Sequence, residues 1–282
     1  MNRTGSVNDT HFLVGRDTKS LFGSIAMVAS VAVVGLLIWE SIVWLYDLPK
    51  ALLPTPRQCF WAAVEQRGPL LRGVYSTGVA AVIGLAVAIA LGSFIAIVFS
   101  QSRKLRLALF PYVVLLQTVP IVAIAPLLII WSGYTLRTVV MATVIVCLFP
   151  IINSVTAGLI SVDREISDLF QMYGAGRAKR LWRLQIPSAV GHLVLGAKTS
   201  SGLAVIGAIV AEFFVGNGTD YDGLGTLMTK WQGLAKTDAI IAAIFSSTML
   251  GLALFAFVQF LSVTVLKRWM IDSHDTTGFR GS

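Results

Sequence analysis

The stretch Ser161–Gly191, SVDREISDLFQMYGAGRAKRLWRLQIPSAVG, is a long polar segment between two apolar runs, and its reading decides the fold. Asp163 is placed to cap a helix that continues to Tyr173, and Gly174-Ala175-Gly176 permits a sharp turn. A second helix is expected from Arg177 to Gln185, with Pro187 as its stop. It carries Arg177, Lys179, Arg180 and Arg183 interleaved with Leu181, Trp182 and Leu184. The pattern predicts two short helices lying across a membrane surface. One reading is an amphipathic segment that pins itself to anionic headgroups. The other is a docking surface for a partner.

Outward from this loop the chain is apolar. Of its 282 residues 56% are hydrophobic and 13% charged, against about 25% charged in an ordinary soluble domain. The mean hydropathy is +0.79. Such a composition argues against a water-soluble enzyme, whose surface needs more charge. A bilayer-spanning helix takes about 20 apolar residues, and six stretches qualify: Phe22–Tyr46, Val74–Ser100, Leu105–Trp131, Leu136–Ile160, Gly191–Gly216 and Ala239–Leu266. The first is too long for the core of a signal peptide and has no small-residue cleavage site, so it reads as an uncleaved span. The expectation is an all-α polytopic membrane protein. A tail over 1–21 precedes one membrane domain over 22–266, whose long loop covers 161–190, and a tail over 267–282 follows.

The net charge of +8 fits basic cytoplasmic loops better than a nucleic-acid patch. With the N-terminus inside, the cytoplasmic segments hold Arg3, Arg16, Lys19, Arg103, Lys104, Arg106, Arg164, Arg177, Lys179, Arg180, Arg183, Lys267, Arg268 and Arg280. The outer segments hold half as many: Lys50, Arg57, Arg67, Arg72, Arg137, Lys230 and Lys236. Both termini are therefore expected in the cytoplasm. In the first outer loop, Thr55–Arg67 predicts a surface helix, capped by Thr55, begun by Pro56 and stopped by Gly68-Pro69.

The loop spacing resembles a signature of the permease subunits of binding-protein-dependent ABC importers: Glu-Ala-Ala, three residues, Gly, nine residues, Ile, one residue, Leu-Pro. Gly174, Leu184, Ile186 and Pro187 stand at the last four defined positions, and Asp168-Leu169-Phe170 replaces Glu-Ala-Ala, keeping the acid but not the small residues. The segments Leu52–Pro56, Gln117–Gly133 and Glu212–Leu227 are similar to those of the nitrate, sulfonate, taurine and bicarbonate branch. The resemblance covers roughly Trp39 to Leu266. It implies that the loop is a coupling helix for an ATP-binding subunit, formed by Asp168, Tyr173, Gly174, Ala175, Gly176, Arg177, Ile186 and Pro187. It also implies a second copy of the chain as homodimer partner, two cytoplasmic ATPase subunits, and a periplasmic or lipid-anchored binding protein that loads the solute. Membrane lipid is a further partner and nucleic acid is not. The implied mechanism is alternating access, driven by ATP and Mg on the partner subunit, with no cofactor in this chain.

The residues agree with a transport role. A phosphate-binding loop needs GxxxxGK[ST] after a strand. The nearest approach, Gly191 to Thr199, has one residue too many before Lys198 and sits in an apolar run. Cys59 and Cys147 are the two cysteines, which leaves no metal or redox spacing. The spans offer no nucleophile with a base, and the paired halves and buried acids of an ion-driven secondary transporter, the rival reading, are not visible.

Within the spans, Ala80, Gly84, Ala88, Gly92 and Ala96 place a small residue on one helix face every fourth position, a seam for close packing. Pro120 and Pro126 remove backbone hydrogen bonds from the third span, and Gln117 and Thr118 add polar groups one turn away. These four are candidates for lining the path, against a purely structural kink. Lys198, beside Thr199, Ser200 and Ser201, is a candidate for an inner gate or charge pair. Glu212 is expected to hydrogen-bond the Gly223-Leu224-Gly225 segment, with a gate role as the alternative. Glu40 reads as an interfacial acid, and His11, His192 and His274 as incidental. The branch implies an oxyanion or sulfonate as solute, while Gly196–Glu212 is more similar to members for thiamine-precursor pyrimidines or riboflavin.

Overall fold

The computed structural model describes residues 18–216 and 222–271, and every regular element in them is helical. In order these are α1 (Thr18–Leu45), α2 (Pro56–Glu65), α3 (Arg67–Gln101), α4 (Arg103–Thr118), α5 (Ile121–Ser132), α6 (Leu136–Ile160), α7 (Arg164–Met172), α8 (Arg177–Arg180), α9 (Ile186–Val215), α10 (Leu224–Gly233) and α11 (Thr237–Ile271). A π turn over Leu181–Gln185 joins α8 to α9. The tails at 1–17 and 272–282, with His11 and His274, lie outside the described residues.

Four helical runs are individually long and apolar enough to cross a bilayer: Arg67–Gln101, Leu136–Ile160, Arg177–Val215 and the described part of α11. The expected third span is not one helix. It is α4 and α5, bent by 97°, because Pro120 has no N–H to continue the ladder and pushes Val119 into the extended region (φ −74°, ψ 122°). Pro126, expected to kink the same span, is carried inside α5 without a break. Helix α2 is begun as expected: Thr55 Oγ1 accepts from the Gln58 amide at 3.2 Å and Gln58 Oε1 accepts from the Thr55 amide at 2.9 Å. Gly68-Pro69 does not stop it, however. These residues fall in the first turn of α3, where the amides have no intrahelical partner anyway and proline is tolerated.

The core forms where α6 lies between α3 and α9, and it is built from small side chains. Ala80, Ala88, Ala96, Ala142, Ala204, Ala208 and Ala211 are all wholly buried, together with Cys147 and Ile151. The seam expected on α3 faces α6: a Cβ at Gly84 would strike Thr143, and one at Gly92 would approach Ile151 Cγ2 to 2.7 Å. Thr143 is satisfied internally, donating to the Val139 carbonyl at 2.9 Å. Apolar residues such as Leu37, Phe94, Ile130 and Phe260 remain on the outside, as expected of a surface that meets acyl chains rather than water.

Lys50 Nζ pairs with Asp238 Oδ2 at 2.9 Å, and Thr237 Oγ1 donates to the Ala51 carbonyl at 2.5 Å, tying the loop between α1 and α2 to α11. The hydrogen bond to Asp238, and then its charge, raises the Lys50 pKa above the ordinary 10.5. The contribution of the pair is therefore complete below that value and is lost as pH rises through the folded-state pKa. Lys50 is mostly exposed, which keeps the contribution small. Burial pushes the Cys59 thiol on α2 upward, so it stays protonated and unreactive at neutral pH.

Gly84→Val is expected to lower stability by about 1–3 kcal/mol, because the backbones of α3 and α6 must separate. Gly78→Ala, where the nearest atom to a new Cβ is Leu250 Cδ1 at 3.4 Å, is expected to change little. Heating in mild detergent followed by size-exclusion chromatography checks both. An unchanged profile for Gly84→Val would contradict the close seam.

Candidate functional site

Three places gather the residues that carry chemistry: the long polar loop over 161–190, the break between α4 and α5, and the start of α10.

In the loop, α7 ends in a Schellman turn. The Gly174 amide donates to the Gln171 carbonyl at 3.0 Å and the Ala175 amide to the Phe170 carbonyl at 2.9 Å, with Gly174 at φ +71°. That left-handed backbone strains any side chain larger than glycine, apart from the short polar ones. The turn lifts Met172 and Tyr173 to the tip of the loop, each 84% exposed. Leu169 and Ile166 on the same helix are also exposed, so these apolar side chains have no cover among the described residues. Gly176 caps α8, and Arg180 Nη1 donates to Ser167 Oγ at 3.4 Å, which fastens the second helix to the first. Asp168 and Arg180 line a cavity of about 230 Å³ against the end of α6.

The second loop helix is not a separate surface helix that Pro187 ends. Helical backbone is continuous from Arg177 to Val215. The Ile186 amide reaches back five residues to the Leu181 carbonyl, and this π turn absorbs the missing N–H of Pro187, which then sits in the first turn of α9 where proline fits. Ile186 packs against the core and Arg177 is exposed.

At the break, Gln117, Thr118 and Pro120 come together with Leu116, Val119 and Ile121, and with Ile145, Val146, Pro150 and Leu203 from α6 and α9, around a cavity of about 320 Å³. The cavity lies near the middle of α6: Val146 is ten residues along it, about 15 Å from its N-terminal end at 1.5 Å per residue. Pro126 and Lys198 are not among its walls. Lys198 is half-buried on α9, and among the described residues it has no salt bridge.

The start of α10 is built around Glu212, which is wholly buried. Its carboxyl oxygens accept from Thr77 Oγ1 at 2.9 and 3.0 Å, and Oε2 accepts from the Gly225 amide at 2.9 Å. Thr77 Oγ1 in turn accepts from the Leu224 amide at 2.9 Å. The first two amides of α10 are thereby capped, and the acid lies at the positive end of that helix. A Cβ at Gly223 would fall on the Glu212 carboxyl, and one at Gly225 on the Ile209 carbonyl. The expected bond from Glu212 to the Gly223-Leu224-Gly225 segment is therefore present, and it holds the start of α10 in place.

Thr77 and Pro150 carry these sites and were not anticipated. Thr77 meets a partner 135 residues away, which no local pattern marks. A proline in the middle of an apolar span did mark position 150, by the same rule that singled out Pro120.

Thr77→Val leaves the Leu224 amide unpaired and removes a donor from Glu212, a loss of about 1–3 kcal/mol. Thr77→Ser keeps both bonds. A fall of several degrees in the thermal midpoint for the first, about 2–4 °C per kcal/mol in a chain of this size, and little for the second is the expected outcome.

Residues 88–272 match the family described as binding-protein-dependent transport system inner membrane component. The chain is 31% identical over 239 residues to the formylaminopyrimidine transport permease protein ThiX of Halalkalibacterium halodurans, covering 83% of this chain and 92% of that one. It is 30% identical to the riboflavin transport system permease protein RibX of Chloroflexus aurantiacus (83% and 86% covered) and 24% identical to the taurine transport system permease protein TauC of Escherichia coli (85% and 86%). A chain of the MetNI methionine ABC transporter, solved in inward-facing conformations, shares the fold with a TM-score of 0.56 at 13% identity, covering 69% of this chain and 97% of that one.

Proposed function

Because the chain belongs to the family of binding-protein-dependent transport system inner membrane components, we propose that two copies of it form the solute path of an ABC importer, with an ATPase subunit docked on each cytoplasmic loop. The chain is the membrane-spanning permease subunit of such an importer, a transport component of the inner membrane. Both termini face the cytoplasm in this reading, and a periplasmic or lipid-anchored binding protein delivers the solute from the other side. ATP and Mg belong to the partner subunit.

The observation that carries the docking is the exposed tip of α7. Met172 and Tyr173 stand in solvent beside a glycine turn, flanked by Arg177, Lys179 and Arg183. An apolar and aromatic knob ringed by cations suits a partner's cleft. Asp168, Tyr173, Gly174, Ala175, Gly176, Arg177, Ile186 and Pro187 form this surface and its root. Closure of the ATPase subunits moves the loop, and the continuous helix from Arg177 to Val215 conveys the motion to mid-membrane, where Gln117, Thr118 and Pro120 flank the path. Lys198, on the same helix about one and a half turns nearer the cytoplasm than Leu203, serves as the inner gate. Pro126 sets the lie of α5. The relatives named for a formylaminopyrimidine, riboflavin and taurine leave the solute class between a heterocycle and a small anion.

Gly174→Val forces a β-branched residue into the left-handed turn and is expected to reduce the ATPase subunit recovered with the permease from mild detergent by about tenfold, equivalent to 1.4 kcal/mol. Gly176→Ala, at φ −63° with open space around it, is expected to retain the subunit. Equal recovery with Gly174→Val would place docking elsewhere. A permease that purifies alone and moves solute under an ion gradient without ATP would replace the importer reading with a secondary transporter.

A further inference from the structure

The break in the third span leaves an unusual set of backbone groups around the cavity beside it. The carbonyls of Leu116, Gln117, Thr118 and Val119, the last of α4 and its cap, accept no hydrogen bond among the described residues. Pro120 lacks the N–H that Leu116 would otherwise receive, and the bend of 97° carries the amides of α5 out of reach of the other three. On the facing wall Pro150 withholds its N–H from Val146 in the same way. All five of these residues line the cavity. Against these acceptors stands the Ile121 amide, which donates no bond among the described residues, and the exposed side-chain amide of Gln117, able to donate and accept.

Orphan carbonyls are costly at membrane depth unless protein, water or a ligand meets them. The last carbonyls of a helix point beyond its C-terminus, and that end carries about half a negative charge. No charged side chain is among the cavity's walls. A sulfonate, nitrate or bicarbonate brings only acceptor oxygens and negative charge to this surface, so it meets repulsion from the four carbonyls at the end of α4 with one backbone amide and Gln117 to receive it. A planar ring with amine or imide N–H groups beside a ring acceptor satisfies both sets. The volume of about 320 Å³ is at the small end of ligand cavities, about 300–1,000 Å³, and suits a flat system of one to three fused rings.

We infer that this cavity is a polar subsite on the path and that it passes an uncharged nitrogen heterocycle bearing hydrogen-bond donors, not an oxyanion or sulfonate. The inference rests on the reading of the α4–α5 break as part of the path. ATP-driven uptake into proteoliposomes holding the assembled importer and its binding protein tests it, with four labelled probes: an aminopyrimidine, riboflavin, taurine and nitrate. Wild type is expected to accumulate one of the two heterocycles and neither anion. Gln117→Lys, which sets a cation among the carbonyls, is expected to slow that uptake by about tenfold, or 1.4 kcal/mol. Gln117→Trp and, from the opposite wall, Leu203→Phe are expected to block it in complexes that elute intact by size exclusion. Uptake of taurine or nitrate, or of neither heterocycle, overturns the solute class. If the solute is then an anion whose uptake both wall variants still block, the path reading stands without it. Wild-type uptake in intact complexes of both wall variants removes the path reading, and the inference with it.

Discussion

Close approach of three helix backbones, α3 and α9 on either side of α6, is the constraint on which the rest of the molecule depends. Lipid tails are as apolar as leucine, so helices in a bilayer gain little by hiding leucine from them and much by packing closely. Glycine and alanine on the facing sides of α3, α6 and α9 allow that packing. The result is a central slab rigid enough to hold two departures from regular helix: the break at Pro120 and the buried acid at the start of α10. Both would be unstable alone. The broken helix exposes carbonyls, and the acid sits wholly out of solvent, so each depends on neighbours that the slab holds still.

The capped start of α10 shows how such a feature is stabilised. Glu212 is the residue that hydropathy marks as out of place in an apolar span, yet its carboxyl is met by Thr77 and by the amide end of a short helix. The two glycines flanking Leu224 are there because the carboxyl and the Ile209 carbonyl occupy the space a side chain would take. One polar contact thus joins α3, α9 and α10. Lys50, Thr237 and Asp238 join the loop between α1 and α2 to α11. The opposite end is held differently, by a helix that runs unbroken from the long polar loop into the core.

Much of this was legible in the sequence, and the failures share a cause. Four of the six expected spans, the start of α2 at Thr55-Pro56, the turn at Gly174 and the bond from Glu212 toward Gly223-Leu224-Gly225 all follow from local rules of hydropathy, capping and backbone freedom. The expected third span is a bent pair, and the first is present among the described residues only as the shorter apolar stretch Ala29–Leu45. Two expectations failed where proline was read as a stop. Gly68-Pro69 sits in the first turn of α3, where the absent N–H costs nothing, and Pro187 lies in a continuous helix whose π turn absorbs the missing N–H; Pro126, read as able to kink its span, lies inside α5. Pro120 alone breaks its helix. The difference lies in what surrounds each ring, which the local sequence does not record. Nor does it record that Thr77 lies against Glu212 or that Pro150 faces Pro120 across one cavity, since those pairings exist only once the helices are packed.

The two proline effects also explain how a stiff permease can move. A regular helix transmits force along its axis with little bending, and the run from Arg177 to Val215 is nearly that, with one π turn where it leaves the loop. Its neighbour in the cavity wall is the opposite case. At Val119–Pro120 no backbone hydrogen bond crosses from α4 into α5, so the two halves can change their angle without breaking one. In the proposed importer, a stiff rod from the ATPase side set against a hinge that has no ladder to break is an arrangement in which a displacement of the loop is spent on opening the cavity at Gln117 and Thr118 rather than on deforming the slab. On the same proposal, the polar groups that make the hinge free of internal bonds are the ones left available to a passing solute, so the place where the wall yields is also the place where it can bind.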